Sequence, residues 1–97
     1  MAKRKRGLRD LFNAQAGNCY LCGGPMTLEL GKGNTAEKEH IIPRSFLRAE
    51  GIRASKIERY NLAAAGRQCN AYKADKPVTK VIHDLQQLKL CTLANER

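Results

Sequence analysis

The sequence predicts a small α+β domain that needs a staple in addition to its core. At 97 residues the chain makes one domain, and a domain of this size buries only about 60 to 65% of the surface that its unfolded chain exposes. Aromatic residues make up 5% of the chain and tryptophan is absent. Helical and strand-like spacings alternate along the chain, and its four cysteines can hold the elements together.

The first element is a short helix. Leu8, Leu11 and Phe12 recur at helical spacing, and Gly17 can end a helix in a left-handed conformation. These positions predict a helix over residues 8–16.

A hairpin is expected next. Residues 26–30 alternate apolar and polar side chains as a half-buried strand does, and a glycine-rich turn at 31–34 separates them from a second strand at 39–42. The hairpin would carry His40. Residues 44–60 have no clear period and are expected to be irregular.

Two helices are predicted in the last third of the chain. Asn70 to Lys73 are expected in the first turns of a helix that stops near Pro77. The clearest helix covers residues 78–90, where apolar residues recur every three or four positions: Val78, Val81, Ile82, Leu85 and Leu88.

The balance of charges favours a polyanionic partner. The chain has 18 basic and 9 acidic residues, a net charge of +9, and residues 1–7 form a basic tail before a single domain at 8–97. A phosphate backbone is the commonest partner for such a charge, whereas an anionic membrane would require an amphipathic basic helix. A solvated, flexible tail is the alternative for residues 1–7.

The cysteines suggest a metal site. Cys19 and Cys22 have the spacing that lets two sulfurs face one tetrahedral ion at about 2.3 Å, and Cys69 is a third candidate ligand. Disulfides and a redox dithiol are the alternatives. No secretory signal follows the basic start, so thiolates on Zn²⁺ in a cytoplasmic protein are favoured.

A second group of side chains has the chemistry of phosphodiester hydrolysis. Glu39 and Asn70 offer the hard oxygen atoms that Mg²⁺ or Mn²⁺ prefers, and His40 is able to deprotonate water. Asn61 lies between them along the chain. The alternatives are an ordinary ion pair for Glu39 and His40, and capping roles for the two asparagines.

With these residues the chain resembles the HNH endonucleases. The resemblance is carried by the segments from Asn18 to Gly23, from Glu39 to Ser45, at Asn61-Leu62 and from Cys69 to Lys76, with a nine-residue step between the two asparagines at 61 and 70. It implies a ββα-metal (His-Me finger) fold with an N-terminal and a C-terminal helix.

The resemblance also implies roles for individual residues. His40 would be the general base, and Glu39 and Asn70 would hold a catalytic Mg²⁺ or Mn²⁺. Asn61 would steady the loop and align the base. The glutamate stands where the family usually has aspartate, and Asn70 where many members have histidine.

The resemblance also implies contacts with a partner. Lys73 is expected to face phosphate, and Arg44 and Lys76 are further candidates for contact with DNA. The implied activity is a metal-dependent DNA endonuclease, serving a phage or mobile element or acting beside a packaging or restriction partner. The alternative is a zinc-stapled DNA-binding or interaction module without catalysis.

One zinc ligand is missing from the pattern. Gly66 stands where relatives with paired knuckles usually have the first cysteine of the second pair. Cys91 is expected to complete the set from the end of the long helix, with His83 as its rival. The alternatives are a three-cysteine site completed by water, no zinc, and a role for Cys91 as a small buried apolar residue.

Overall fold

A computed structural model describes residues 7–96 of the chain. Within that range the chain forms two strands and six helices in an α+β domain. In chain order they are α1 (Leu8–Ala14), β1 (Ala36–His40), α2 (Arg44–Ala49), α3 (Ala54–Ile57), β2 (Leu62–Gly66), α4 (Arg67–Lys73), α5 (Val78–Leu88) and α6 (Leu90–Asn95).

The sheet is an antiparallel pair of β1 and β2. Its register joins Ala36 to Gly66 at one end and His40 to Leu62 at the other. The predicted hairpin was therefore wrong in its pairing, because β1 pairs with a strand that follows it by more than twenty residues. The strand predicted at residues 39–42 is β1, which begins at Ala36 and ends at His40.

Residues 26–30 do not form the predicted strand. Thr27 makes a single bridge to Thr35, and Leu30 is 86% exposed. The hydroxyl of Thr35 donates a hydrogen bond to the Glu29 carbonyl at 2.7 Å and accepts one from the Lys32 amide at 2.9 Å. These bonds turn the backbone, and a turn held by a side chain competes with a ladder.

The first helix agrees with the prediction within two residues. Helix α1 gives way to turns in which Gly17 has φ of +75°. Gln15, which follows α1, binds the backbone of β2 through its side chain. Its amide nitrogen donates to the Ala64 carbonyl at 2.9 Å, and its amide oxygen accepts from the Ala64 amide at 2.8 Å. All five residues of β2 are buried.

The connection between β1 and β2 is more regular than predicted. It contains the short helices α2 and α3, joined by a turn at Gly51. Helix α2 buries Leu47 and leaves most of its other side chains exposed. One buried apolar residue in six does not make a helical period, so the sequence did not predict this helix.

Helix α4 packs against both strands, and α5 and α6 pack against α4. Asn70 lies in the middle of α4, which begins earlier than predicted. The long helix ends at Leu88, because Lys89 adopts a left-handed conformation with φ of +52°, and Cys91 lies in the separate helix α6. Within residues 7–96, no helix combines the length and apolar character that a membrane span requires.

Candidate metal centre and neighbouring polar site

Four cysteines converge in the core although they come from three parts of the chain. The sulfur atoms of Cys19, Cys22, Cys69 and Cys91 all lie within 4.8 Å of one another, and none is in a disulfide. The Cys69 and Cys91 sulfurs are 3.8 Å apart. A tetrahedral ion with Zn–S distances of about 2.3 Å separates its ligands by about 3.8 Å, so the donor set fits zinc.

A tight backbone turn presents the first two sulfurs. The Cys19 amide donates to the Gly24 carbonyl at 2.8 Å, and the Gly23 amide donates to the Cys19 carbonyl at 2.9 Å. Gly23 has φ of +77°, which favours glycine. The Leu21 and Gly24 amides point at the sulfurs of Cys19 and Cys22, each at 3.4 Å. Amide donors of this kind stabilise thiolate ligands.

Cys91 reaches the other three cysteines because two positions that face α6 are glycines. A side chain on Gly66 would collide with the Cys91 sulfur, and one on Gly24 would meet the Thr92 backbone amide at 2.9 Å. Both glycines therefore let α6 approach the turn. His83 is exposed on α5 and lies outside the cluster. Of the two expected fourth ligands, the structure brings Cys91 to the other three.

The thiols of the cluster differ in acidity. The pKa of Cys19 is about 6: the contact with Cys22 acts to raise it, but hydrogen bonds from Cys69 and Cys91 outweigh that effect. Hydrogen bonds, first from Cys19, also lower the pKa of Cys22. The pKa values of Cys69 and Cys91 are raised, first by Cys19 and then by Cys22. The four thiols interact strongly, so a metal that binds them must displace protons from the cluster.

Asn61 ties the two ends of the β1–β2 connection together. Its side-chain oxygen accepts a hydrogen bond from the Ile42 amide at 2.8 Å, and its side-chain nitrogen donates to the Ile42 carbonyl at 2.9 Å. The Ile41 amide also donates to the Asn61 carbonyl at 2.9 Å. Asn61 is 4% exposed. It holds the backbone that directly follows His40.

Glu37 and Glu39 project from the same face of β1 toward α4, because alternate residues of a strand share a face. The Asn70 side-chain nitrogen donates to Glu37 Oε1 at 2.7 Å, and Lys73 Nζ lies 3.6 Å from Glu39 Oε1. Burial raises the pKa of Glu39, and the charge of Lys73 opposes that shift. Carboxylate and amide oxygens suit a hard cation, but here Asn70 contacts Glu37.

His40 is the last residue of β1. Its Nε2 atom lies 3.4 Å from Glu58 Oε1, at the end of α3. Nε2 of His40 and the hydroxyl of Tyr20 are buried and have no hydrogen-bond partner within residues 7–96. Burial, and then the charge of Glu39, raises the pKa of Tyr20. Buried polar atoms without partners are uncommon and indicate a place for water or ligand.

The predicted DNA contacts have different surroundings. Lys73 is completely buried, and its ammonium group donates to the His40 carbonyl at 3.1 Å. The expectation that it faces phosphate is wrong for this conformation, because its charge is used inside the domain beside Glu39. Arg44 is exposed on α2, and Lys76 is exposed over the Tyr72 ring at 5.4 Å.

Sequence reasoning missed two acidic residues of this site. Glu37 had a detectable signal, since it lies two residues before Glu39 and a strand places both on one face. Glu58 had none, because it reaches His40 only through the folding of the β1–β2 connection.

Comparison with protein-family models, with curated proteins and with solved structures gave no match to this chain.

Proposed function

We propose that this protein is a metal-dependent DNA endonuclease of the ββα-metal type, with His40 as the general base. The observation that carries the proposal is the buried Nε2 of His40 at the end of β1, which makes no hydrogen bond within residues 7–96 and lies 3.4 Å from Glu58 Oε1. A histidine oriented by a carboxylate can act as a positioned general base.

The neighbouring residues support this role for His40. Asn61 fixes the main chain two residues beyond the imidazole through both of its amide atoms. Glu58 Oε1 lies 3.4 Å from Nε2 and so restrains the orientation of the imidazole ring. Together they restrain a proton acceptor beside an acidic strand, and positioned proton transfer typically contributes about 10²–10⁴-fold to a rate.

Glu39 and Asn70 would hold the catalytic Mg²⁺ or Mn²⁺, with Glu37 as an additional carboxylate on the same face. A hard divalent cation bound there supplies positive charge against the phosphorane and the departing 3′ oxygen. To bind it, Asn70 must present its side-chain oxygen instead of the nitrogen that now donates to Glu37. The products would carry a 5′ phosphate and a 3′ hydroxyl.

Plasmid nicking with Mg²⁺, Mn²⁺ or a chelator tests the proposal. Wild-type protein should nick in the presence of either metal, and His40→Ala should bind DNA and zinc but not nick. His83→Ala is a matched control, since His83 is exposed and lies outside the cysteine cluster. Nicking by His40→Ala at the wild-type rate would remove the assigned base.

The second candidate is a zinc-stapled DNA-binding or interaction module without catalysis. It is favoured by one observation, the neutralisation of Glu39 by the buried ammonium of Lys73, which leaves less charge for a metal. Salt-sensitive DNA binding without nicking in any metal would support the DNA-binding module. Neutralisation of phosphates releases counterions, so the affinity for DNA should fall steeply as salt rises. An affinity that hardly changes with salt would therefore favour a protein partner.

A further inference from the structure

A concave pocket lies within the β1–β2 connection, outside the cysteine cluster and outside the residues proposed for catalysis. Its cavity has a volume of about 400 Å³ and is lined by Arg44, Arg48, Gly51, Ile52, Arg53 and Ala54. These six residues are called the arginine pocket below. Cavities of this size accommodate small organic ligands.

The fold brings its three arginines together through one turn. Arg44 and Arg48 are four residues apart on α2 and so share a face of the helix. The helix ends in a Schellman motif, in which the Ile52 amide donates to the Leu47 carbonyl at 2.8 Å and the Gly51 amide donates to the Arg48 carbonyl at 3.1 Å. Gly51 has φ of +73°, and the reversal returns the chain so that Arg53 lines the same cavity.

The charges of the arginine pocket are unbalanced. Arg44, Arg48 and Arg53 are all exposed, and none forms an ion pair with a carboxylate in the part of the chain that the structure describes. Like charges four residues apart on a helix repel by a few tenths of a kcal/mol. Nothing in the fold of α2 requires this clustering, because the buried residue of the helix is Leu47. A bound anion would relieve the repulsion.

The chemistry of the lining selects the kind of anion. Guanidinium groups bind phosphate oxygens in pairs of parallel hydrogen bonds, which favours phosphate over a diffuse charge. Ile52, which is 42% exposed, and Ala54 add an apolar wall beside the charges. A phosphate attached to a sugar and base satisfies both surfaces, whereas an inorganic anion uses the arginines alone.

We propose that the arginine pocket binds a phosphodiester of the nucleic-acid substrate, with the attached nucleoside against Ile52. The identity of the ligand rests on the proposed nuclease function. Arg44 follows His40 by four residues, so their Cα atoms lie at most about 14 Å apart. The pocket would therefore hold the strand a short distance from the phosphodiester that reacts, and so position the substrate.

Binding to a fluorescein-labelled DNA duplex tests this site, measured over a range of salt concentrations and without added Mg²⁺ or Mn²⁺, so that the structural zinc is kept and the DNA is not cut. Arg48→Gln and Arg53→Gln should each lower the affinity by about tenfold and reduce the salt slope by about one. Arg9→Gln is the matched control, because Arg9 is exposed on α1 and loses the same charge; it should change affinity by less than about twofold. Ile52→Ser should weaken binding while leaving the salt slope unchanged.

The outcomes separate this proposal from the function on which it rests. If wild-type protein binds and nicks DNA but the Arg48 and Arg53 variants bind as the Arg9 variant does, the arginine pocket is not a substrate site. If wild-type protein does not bind the duplex at all, the nuclease proposal fails and the pocket proposal fails with it. Zinc content and circular dichroism equal to wild type would establish that each variant is folded.

Discussion

The sulfur atom of Cys91 lies in the space that a side chain on Gly66 would occupy. The backbone does not require glycine at this position, because its φ of −67° and ψ of 149° are open to any residue. The glycine is required by the approach of the sulfur. The absence of a side chain at Gly66 is thus what admits the fourth sulfur to the cluster.

Gly66→Ala should disturb the cysteine cluster. The added methyl group meets the Cys91 sulfur, and overpacking of this kind lowers the free energy of unfolding by about 1–3 kcal/mol. Chemical denaturation and zinc content per chain would measure the loss. Gly7→Ala is the control, since its nearest neighbour, Asp10 Oδ2, would be 3.8 Å away. Equal unfolding midpoints for the two variants would contradict the packing argument.

Zinc affinity should fall as the pH falls. Cys69 and Cys91 have raised pKa values in the metal-free cluster, so binding must displace their protons, and acid competes with the metal. Competition with a colorimetric zinc indicator across neutral and mildly acidic pH would measure this dependence. Removal of zinc by chelator should lower Tm, and Cys19→Ser should do the same. An affinity independent of pH would argue against thiol ligands.

Lys73→Met should destabilise the domain by up to about 3–5 kcal/mol, because it leaves the Glu39 side chain, which is only 12% exposed, without its cation. Urea unfolding in the presence of chelator measures this cost. Lys76→Met, three residues further along the chain and exposed, should stay within about 0.5 kcal/mol of wild type. The double variant Lys73→Met/Glu39→Gln should recover much of the lost stability. If it recovers none, the loss does not come from the unpaired carboxylate of Glu39.

The Lys73→Met variant should also lose stability as the pH rises. Burial already raises the pKa of Glu39, and without the lysine the shift grows. A carboxyl whose folded-state pKa exceeds its unfolded value favours folding while it is protonated, below its ordinary pKa, and loses that contribution as the pH rises through the folded value. Urea unfolding at acidic and at neutral pH would measure the change. The opposite slope would mean that Glu39 is not desolvated.

Asn61→Ala should loosen the β1–β2 connection. The change removes two hydrogen bonds to Ile42 and leaves its partly buried amide and carbonyl without those partners, at a cost of about 1–3 kcal/mol. Urea unfolding gives the loss, and hydrogen exchange at the Ile42 amide should become faster. Asn13→Ala on exposed α1 serves as the control. Unchanged exchange at Ile42 would show that the loop is held by other contacts.

Local chemistry was visible in the sequence wherever the signal lay within a few residues. The spacing of Cys19 and Cys22 predicted a tight metal-binding turn, and the apolar period predicted α1 and most of α5. The alternation at residues 26–30 misled, because threonine hydroxyls turn the chain there. The helix break at Lys89 escaped detection, since a left-handed lysine is disfavoured and depends on tertiary contacts.

From its sequence, this protein was expected to be a small α+β domain with cysteines for a metal and a cluster of acid, amide and imidazole groups near one strand. The folded chain decided which of these groups meet: Cys91 reached the other cysteines, Lys73 was buried beside Glu39, and Glu58 reached His40. The reason is physical. Spacing along a chain governs neighbours within a turn or a strand, whereas contacts between distant residues depend on how helices and strands pack, down to the missing side chain of a single glycine.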